Sequence, residues 1–250
     1  MNVRDYLSVR RAYNIVRQQS ESDRRLTFEE FAILCRLDQI NGTARVTEIA
    51  SYQHALRPTM AHRMDHLEKR DLVMRGTVPD DRRASWASLT AHGINVVKEL
   101  SSQTIKAFPT NSPMRRITVK RLARMVDAMG AVFLTAGELL VLALMDQQDH
   151  RAQVGTLVNV TGFLQPTTSM AVSRLVESGL VDRCVLKGGD GRRTTVAHLT
   201  DEGMARAEEI ASLVEDIVVR KERASNKGKA KDKAATATKD TAVAAETSEA

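Results

Sequence analysis

The chain has 250 residues, 27% of them charged and 42% hydrophobic, with a formal net charge of +6. This is the composition of a globular protein: no stretch approaches the roughly 18 consecutive apolar residues of a membrane span. The N-terminal arginines are followed by no apolar segment, so no secretory signal is expected. Two cysteines, Cys35 and Cys184, argue against a disulfide framework and for a reducing, cytoplasmic setting.

Val3, Tyr6, Leu7, Tyr13 and Val16 recur at helical spacing and predict an amphipathic helix over 3–18. After a polar break, Leu26-Thr27-Phe28-Glu29-Glu30-Phe31 reads as a helix start. Thr27 and Glu30 can form a capping box, and Leu26 can staple onto Phe31. Phe31, Leu34, Cys35 and Leu37 then form a core-facing stripe. A short helix over 47–54 precedes a helix opened by Pro58, a residue suited to the first helical turn. The runs 73–77 and 84–89 predict two strands of a hairpin around the tip Val78-Pro79-Asp80-Asp81. A long closing helix follows from Thr90, and residues 108–113 form a linker.

The same order then recurs. A leading helix is predicted over 115–133, then a second capping box from Thr135 and Glu138, a short helix over 153–160 and a helix opened by Pro166. Strands are predicted over 181–187 and 194–199 around Gly188-Gly189-Asp190-Gly191, with a closing helix marked by Met204, Ala207, Ile210, Leu213 and Ile217. Pro58 to Val73 matches Pro166 to Val181 at an offset of 108 residues, and Leu89-Thr90-x-x-Gly93 matches Leu199-Thr200-x-x-Gly203 at 110. A single two-residue insertion reconciles the two, so the chain is an internal duplication. The expected fold is mainly α with small β-hairpin wings (α+β). Repeats are expected at 1–110 and 111–223, followed by a disordered Lys/Ala-rich tail over 224–250.

Two helices, a tight turn and a hairpin make a winged helix-turn-helix, in which the second helix enters the major groove of DNA. The sequence resembles the MarR/SarA family of transcription regulators. The resemblance rests on Pro58-Thr59, Leu67 to Val73, Pro79-Asp80-Asp81-Arg82-Arg83-Ala84 and Leu89-Thr90-x-x-Gly93. In the second copy it rests on Pro166-Thr167, Leu175 to Val181, Arg192-Arg193 and Leu199-Thr200-x-x-Gly203. Members are ordinarily dimers, and a tandem chain looks like such a dimer fused into one polypeptide, an intrachain pseudo-dimer with two recognition helices. The resemblance implies double-stranded DNA as partner and leaves room for a small-molecule effector and for a homodimer. In the family, an Asp two residues before the last wing arginine orients it; Asp81 and Arg83 fit, whereas Gly191 replaces that Asp in the second copy.

Helical geometry turns Met60, Met64 and Leu67 inward and leaves Arg57, Thr59, His62, Asp65 and His66 outward. In the second copy Thr168, Val172 and Leu175 turn inward, leaving Gln165, Thr167, Ser169, Met170, Ser173 and Arg174 outward. The DNA-binding set expected from this is Arg57, Thr59, His62, His66, Gln165, Thr167, Ser169 and Arg174 on the helices, with Arg82, Arg83, Arg192 and Arg193 on the wings. The bland alternative for each helix face is a solvated surface. Cys35 reads as a core residue. His62 and His66, one helical turn apart, could hold a metal, although DNA-facing groups fit them better. No phosphate loop, nucleophile elbow or paired-carboxylate signature occurs, so no enzyme and no cofactor is expected. Two other functions fit the same pattern: a weakly specific, nucleoid-associated coating protein using the basic tail, and a tandem winged-helix scaffold for protein partners.

Overall fold

Helix starts in this chain are written by their caps. In the computed structural model, which describes residues 1–21, 25–78, 81–187 and 193–219, Asn2 opens α1 (Val3–Gln19) by accepting from the Asp5 N–H at 2.7 Å. Side chains at 78, 81–84, 186, 187 and 193 are not described. Thr27 opens α2 (Phe28–Ile40) with the expected capping box: its hydroxyl accepts from Glu30 N, and Glu30 Oε2 accepts from Thr27 N at 2.7 Å. Tyr13 stacks on Phe31 with ring centroids 5.0 Å apart and donates its hydroxyl to the Leu26 carbonyl, joining α1 to that start.

The first copy continues with β1 (Ala44–Arg45), α3 (Val46–Tyr52), α4 (Arg57–Lys69), β2 (Val73–Val78), β3 (Asp81–Leu89) and α5 (Ala91–Ala107). A 3-10 turn at Pro113–Arg116 leads to α6 (Val119–Met129). Then follow α7 (Ala136–Met145), β4 (Arg151–Gln153), α8 (Val154–Thr161), α9 (Gln165–Glu177), β5 (Val181–Lys187), β6 (Arg193–Leu199) and α10 (Asp201–Glu215). The fold is thus mostly helical with two small antiparallel sheets, ordered β1-β3-β2 and β4-β6-β5, as a winged helix requires.

Each sheet has three strands, not the two expected. The extra ones, β1 and β4, are two and three residues long, too short for any alternation to register in sequence. They exist because Ala44 pairs with Ala87, and Ala152 with Ala197, across the free edge of each hairpin. The leading helix expected over 115–133 is shorter, since Thr118 caps α6 anew by accepting from Arg121 N at 3.1 Å. Leu213, expected among the apolar residues of the closing helix, is 52% exposed.

The core runs through α2 and α7, whose central residues are buried on every side, Phe31 to Cys35 in one and Leu139 to Leu144 in the other. A helix apolar all round must lie inside its protein. The two leading helices cover these cores in exchange. α6 packs on α2, with a Cβ added at Gly130 only 2.8 Å from the Ala32 methyl. Tyr52 donates its hydroxyl to the Asp127 carbonyl, and Arg36 lies 3.6 Å from the Asp127 carboxylate.

α1 reaches into the second copy, where the last carbonyls of α8 lack intrahelical donors. Asn14 donates to Thr161 O at 2.9 Å, Gln18 to Gly162 O at 2.5 Å and Arg11 to Asn159 O at 2.5 Å. Gly162 has φ +67°, and any side chain there would meet the Arg11 carbonyl at 2.7 Å. Met1–Val219 accordingly form one compact unit. The tail from 224 lies outside the described residues.

The repeated Leu-Thr-x-x-Gly has a specific task. Thr90 N donates to Leu72 O at 3.2 Å, the Thr90 hydroxyl donates to Asp71 O at 2.5 Å, and Gly93 N donates to Thr90 Oγ1 at 2.9 Å. The second copy repeats this with Thr200, Leu180, Gly179 and Gly203. A Cβ on Gly93 or Gly203 would overlap the Leu72 or Leu180 carbonyl oxygen, so only glycine permits the approach. Asp71 and Gly179 hold the same left-handed position after the recognition-type helix, at φ +54° and +75°. Gly93→Ala should therefore lower stability by about 1–3 kcal/mol, as overpacking does. Asp71→Gly should raise it by up to about 1 kcal/mol, by relieving the left-handed residue. Denaturant unfolding followed by circular dichroism reads both, and a neutral Gly93→Ala would refute the close-approach account.

Candidate nucleic-acid interface

Burial separates the two faces of α4. Met60, Met64 and Leu67 are all buried and anchor the helix, while Arg57, Thr59 and His62 are exposed. On α9, Thr168, Ala171, Val172 and Leu175 form the anchor; Gln165, Thr167 and Arg174 are exposed and Ser169 is half-buried. Both helices start on a leucine, Leu56 or Leu164, whose side chain makes no capping hydrogen bond.

His66 departs from the expected outward face. Its Nδ1 lies 2.5 Å from Oε1 of Glu30, a carboxylate that is itself buried. The capping-box glutamate of α2 thus ties α4 back to α2, using the oxygen left over from Thr27. In the second copy the equivalent Glu138 caps α7 but gives its other oxygen to Arg206 of α10, at 2.6 Å. Arg174, which stands where His66 stands, is left exposed. Sequence showed two identical capping boxes and could not show their different third partners.

Arg75 and Arg183, matched residues on β2 and β5, were missing from the expected set. Arg75 is held by Asp65 at 2.6 Å and by Glu68, so the first helix neutralises it. Arg183 instead meets a hydroxyl, donating to Ser173 Oγ at 2.9 Å, since Ser173 and Val176 stand where those two acids stand. Their shared offset was the signal that could have found them. The first face thus carries Arg75 beside two acids, where the second carries Arg183 beside a hydroxyl.

On the wings, Arg82 and Arg83 belong to β3 and Arg193 to β6, and their side chains lie outside what is described; Arg192 lies outside the described residues altogether. Trp86 turns to the face away from Ala87, and its indole covers Gly76 on the paired strand: a Cβ there would be 2.5 Å from the ring. In the second hairpin Val196 pairs with Cys184 at this register, where the first has Trp86 opposite Gly76. Cys35 is fully buried, which pushes its thiol well above the usual range, whereas Cys184 is exposed. Among the described residues, no group of three His, Cys, Asp or Glu is placed to hold a metal, and no helix is long and apolar enough to cross a membrane.

A cavity of about 920 Å³ opens between the end of α1 (Ile15, Gln19) and α5 (Val96, Gln103), reaching Arg70 and Leu72 behind α4.

Residues 26–85 match the MarR family. The matched stretch takes in α2, the helix-turn-helix and the wing as far as Ser85. Solved structures similar to the chain include a MarR family transcriptional regulator from Silicibacter pomeroyi, 25% identical over 57% of this chain and 99% of that one, with a TM-score of 0.32. The transcriptional regulator PA4135 is 23% identical over 42% of this chain and 74% of that one, with a TM-score of 0.31. RV1404 from Mycobacterium tuberculosis is 20% identical over 59% and 84%, with a TM-score of 0.24. No curated protein matches. The MarR match supports a DNA-binding transcriptional regulator, and MarR regulators are generally not enzymes.

Two measurements check the geometry around α4 and its counterpart α9. His66→Ala should cost about 1–3 kcal/mol by leaving the buried Glu30 carboxylate short of a partner. Arg174→Ala, at the matching exposed position, should stay within about 0.5 kcal/mol of the parent. Equal melting temperatures for the two variants would remove the proposed tie between α4 and α2.

The second measurement is acid unfolding. Burial pushes the Glu138 carboxyl up, but the Thr135 N–H, the Arg206 guanidinium and the Thr135 hydroxyl together bring it below its ordinary value of 4.5. Its contribution is therefore present above about pH 4.5 and is lost as pH falls through the lowered folded-state value. Glu138→Gln should flatten the acid limb of the stability profile and leave its slope near neutrality unchanged.

Proposed function

We propose that the protein is a sequence-specific, double-stranded-DNA-binding transcription regulator whose single chain carries two winged-helix heads reading unlike half-sites. The observation that carries this reading is the exchange of leading helices, α1 onto the end of α8 and α6 onto α2, which binds two copies of one element order into a single body. Such an intrachain pseudo-dimer corresponds to repeats at 1–110 and 111–223, with the tail 224–250 outside them.

In this reading Arg57, Thr59 and His62 face one half-site, and Gln165, Thr167, Ser169 and Arg174 face the other. Arg82, Arg83, Arg192 and Arg193 reach the backbone or minor groove from the wings. His66 acts on the DNA only through the position of α4. The cavity beside α5 is suited to a small effector, since it touches both α1 and the segment behind α4. A nucleoid setting in the cytoplasm goes with this function.

The test is a selection from randomised duplexes. The parent should choose an imperfect palindrome with half-site centres about one helical turn, roughly 10 bp, apart. Arg57→Ala should relax one half and Arg174→Ala the other, while Arg83→Ala weakens binding by about 1–3 kcal/mol. A perfect palindrome, or two helix variants that relax the same half, would mean that two chains each use one head.

A further inference from the structure

Leucine is a poor choice for the residue that opens a helix. That position favours Ser, Thr, Asp or Asn, whose side chains accept from the first orphan N–H groups. α1, α2, α5, α6, α7 and α10 all follow the rule, with Asn2, Thr27, Thr90, Thr118, Thr135 and Thr200. The short helices α3 and α8 also lack a side-chain cap, on Arg45 and Gln153, but the two recognition-type helices are the ones among the described helices that open on an apolar residue, Leu56 and Leu164.

A packing role does not account for these two leucines. Where this chain uses a leucine to staple a helix start, at Leu26 and Leu134, the residue is 3% exposed. Leu56 is 76% exposed and Leu164 is 57% exposed. The neighbouring polar positions differ between the copies, Arg57 against Gln165 and His62 against Met170, yet an exposed leucine stands at the same place in each.

We propose that Leu56 and Leu164 are specificity-determining residues that each pack against the C5-methyl group of a thymine in the major groove. This rests on the reading of α4 and α9 as groove-entering helices. The N-terminal residues of such a helix meet the base edges. A leucine can offer a base edge nothing but apolar contact, and the thymine methyl is the apolar group that base pairs display in that groove. Each half-site then contains a thymine facing the start of its helix, whatever the polar residues beside it select.

The experiment uses the full chain and the site it selects, with every thymine replaced in turn by deoxyuridine, which lacks only the methyl group. Binding is measured for the parent, for Leu56→Ala and for Leu164→Ala. For the parent, one replacement in each half should weaken binding roughly fourfold, the value of one buried methyl group. Leu56→Ala should abolish that sensitivity in one half only, and Leu164→Ala in the other, with melting temperatures unchanged. Binding to the selected site with no dependence on any thymine methyl would overturn this proposal and leave the DNA reading standing. So would methyl sensitivity that survives both variants, or a change in oligomeric state on replacing either leucine, which would make it a protein contact. Failure to select any duplex would overturn both readings together.

Discussion

Each winged unit depends on one knot of backbone hydrogen bonds, the clasp in which Thr90 binds Leu72 and Asp71, and Thr200 binds Leu180 and Gly179. Four elements end or begin there: the recognition-type helix, both wing strands and the closing helix. They bring unpaired backbone groups to one point, and a threonine together with a glycine that allows the Leu72 or Leu180 carbonyl to come close satisfies them. The direction of the wing relative to the helix it accompanies follows from that knot. The same geometry occurs in both copies although the residue in the left-handed position is an aspartate in one and a glycine in the other.

On these equal frames the two copies carry unequal faces. The first holds its helix by a charged tether from α2 and surrounds Arg75 with two acids. The second releases Arg174 and leaves Arg183 facing a hydroxyl. The residues that make this difference, Asp65 against Ser173, His66 against Arg174 and Glu68 against Val176, lie outside the buried anchors of α4 and α9.

The exchange of leading helices has a similar logic. An α-helix of eight residues such as α8 has few internal bonds and exposes its last carbonyls; three side chains of α1 supply the missing donors. The second unit is thereby completed by the first unit's opening helix, and α2 of the first is covered by α6 of the second. The cavity beside α5 lies where α1 passes on its way to that contact, so a molecule held there would touch a helix shared between both copies.

Sequence alone determined the features whose causes lie within a few residues of each other. These are the capping boxes of Thr27 and Thr135, the proline starts, the hairpin strands, the Leu-Thr-x-x-Gly repeat and the anchoring sides of α4 and α9. Periodicity and caps are local, so they can be read without knowing what the chain packs against. Tertiary structure alone decided what depends on distant partners. The strands β1 and β4 form only against the edge of a hairpin some forty residues later in the chain. His66 turns inward because a glutamate 36 residues earlier has an oxygen to spare. The equivalent glutamate of the second copy has the same capping threonine three residues before it and a different partner in space, since Arg206 of the closing helix comes within 2.6 Å of it. A side chain's local neighbours set which bonds it is able to make, and the packing of remote helices chooses among them.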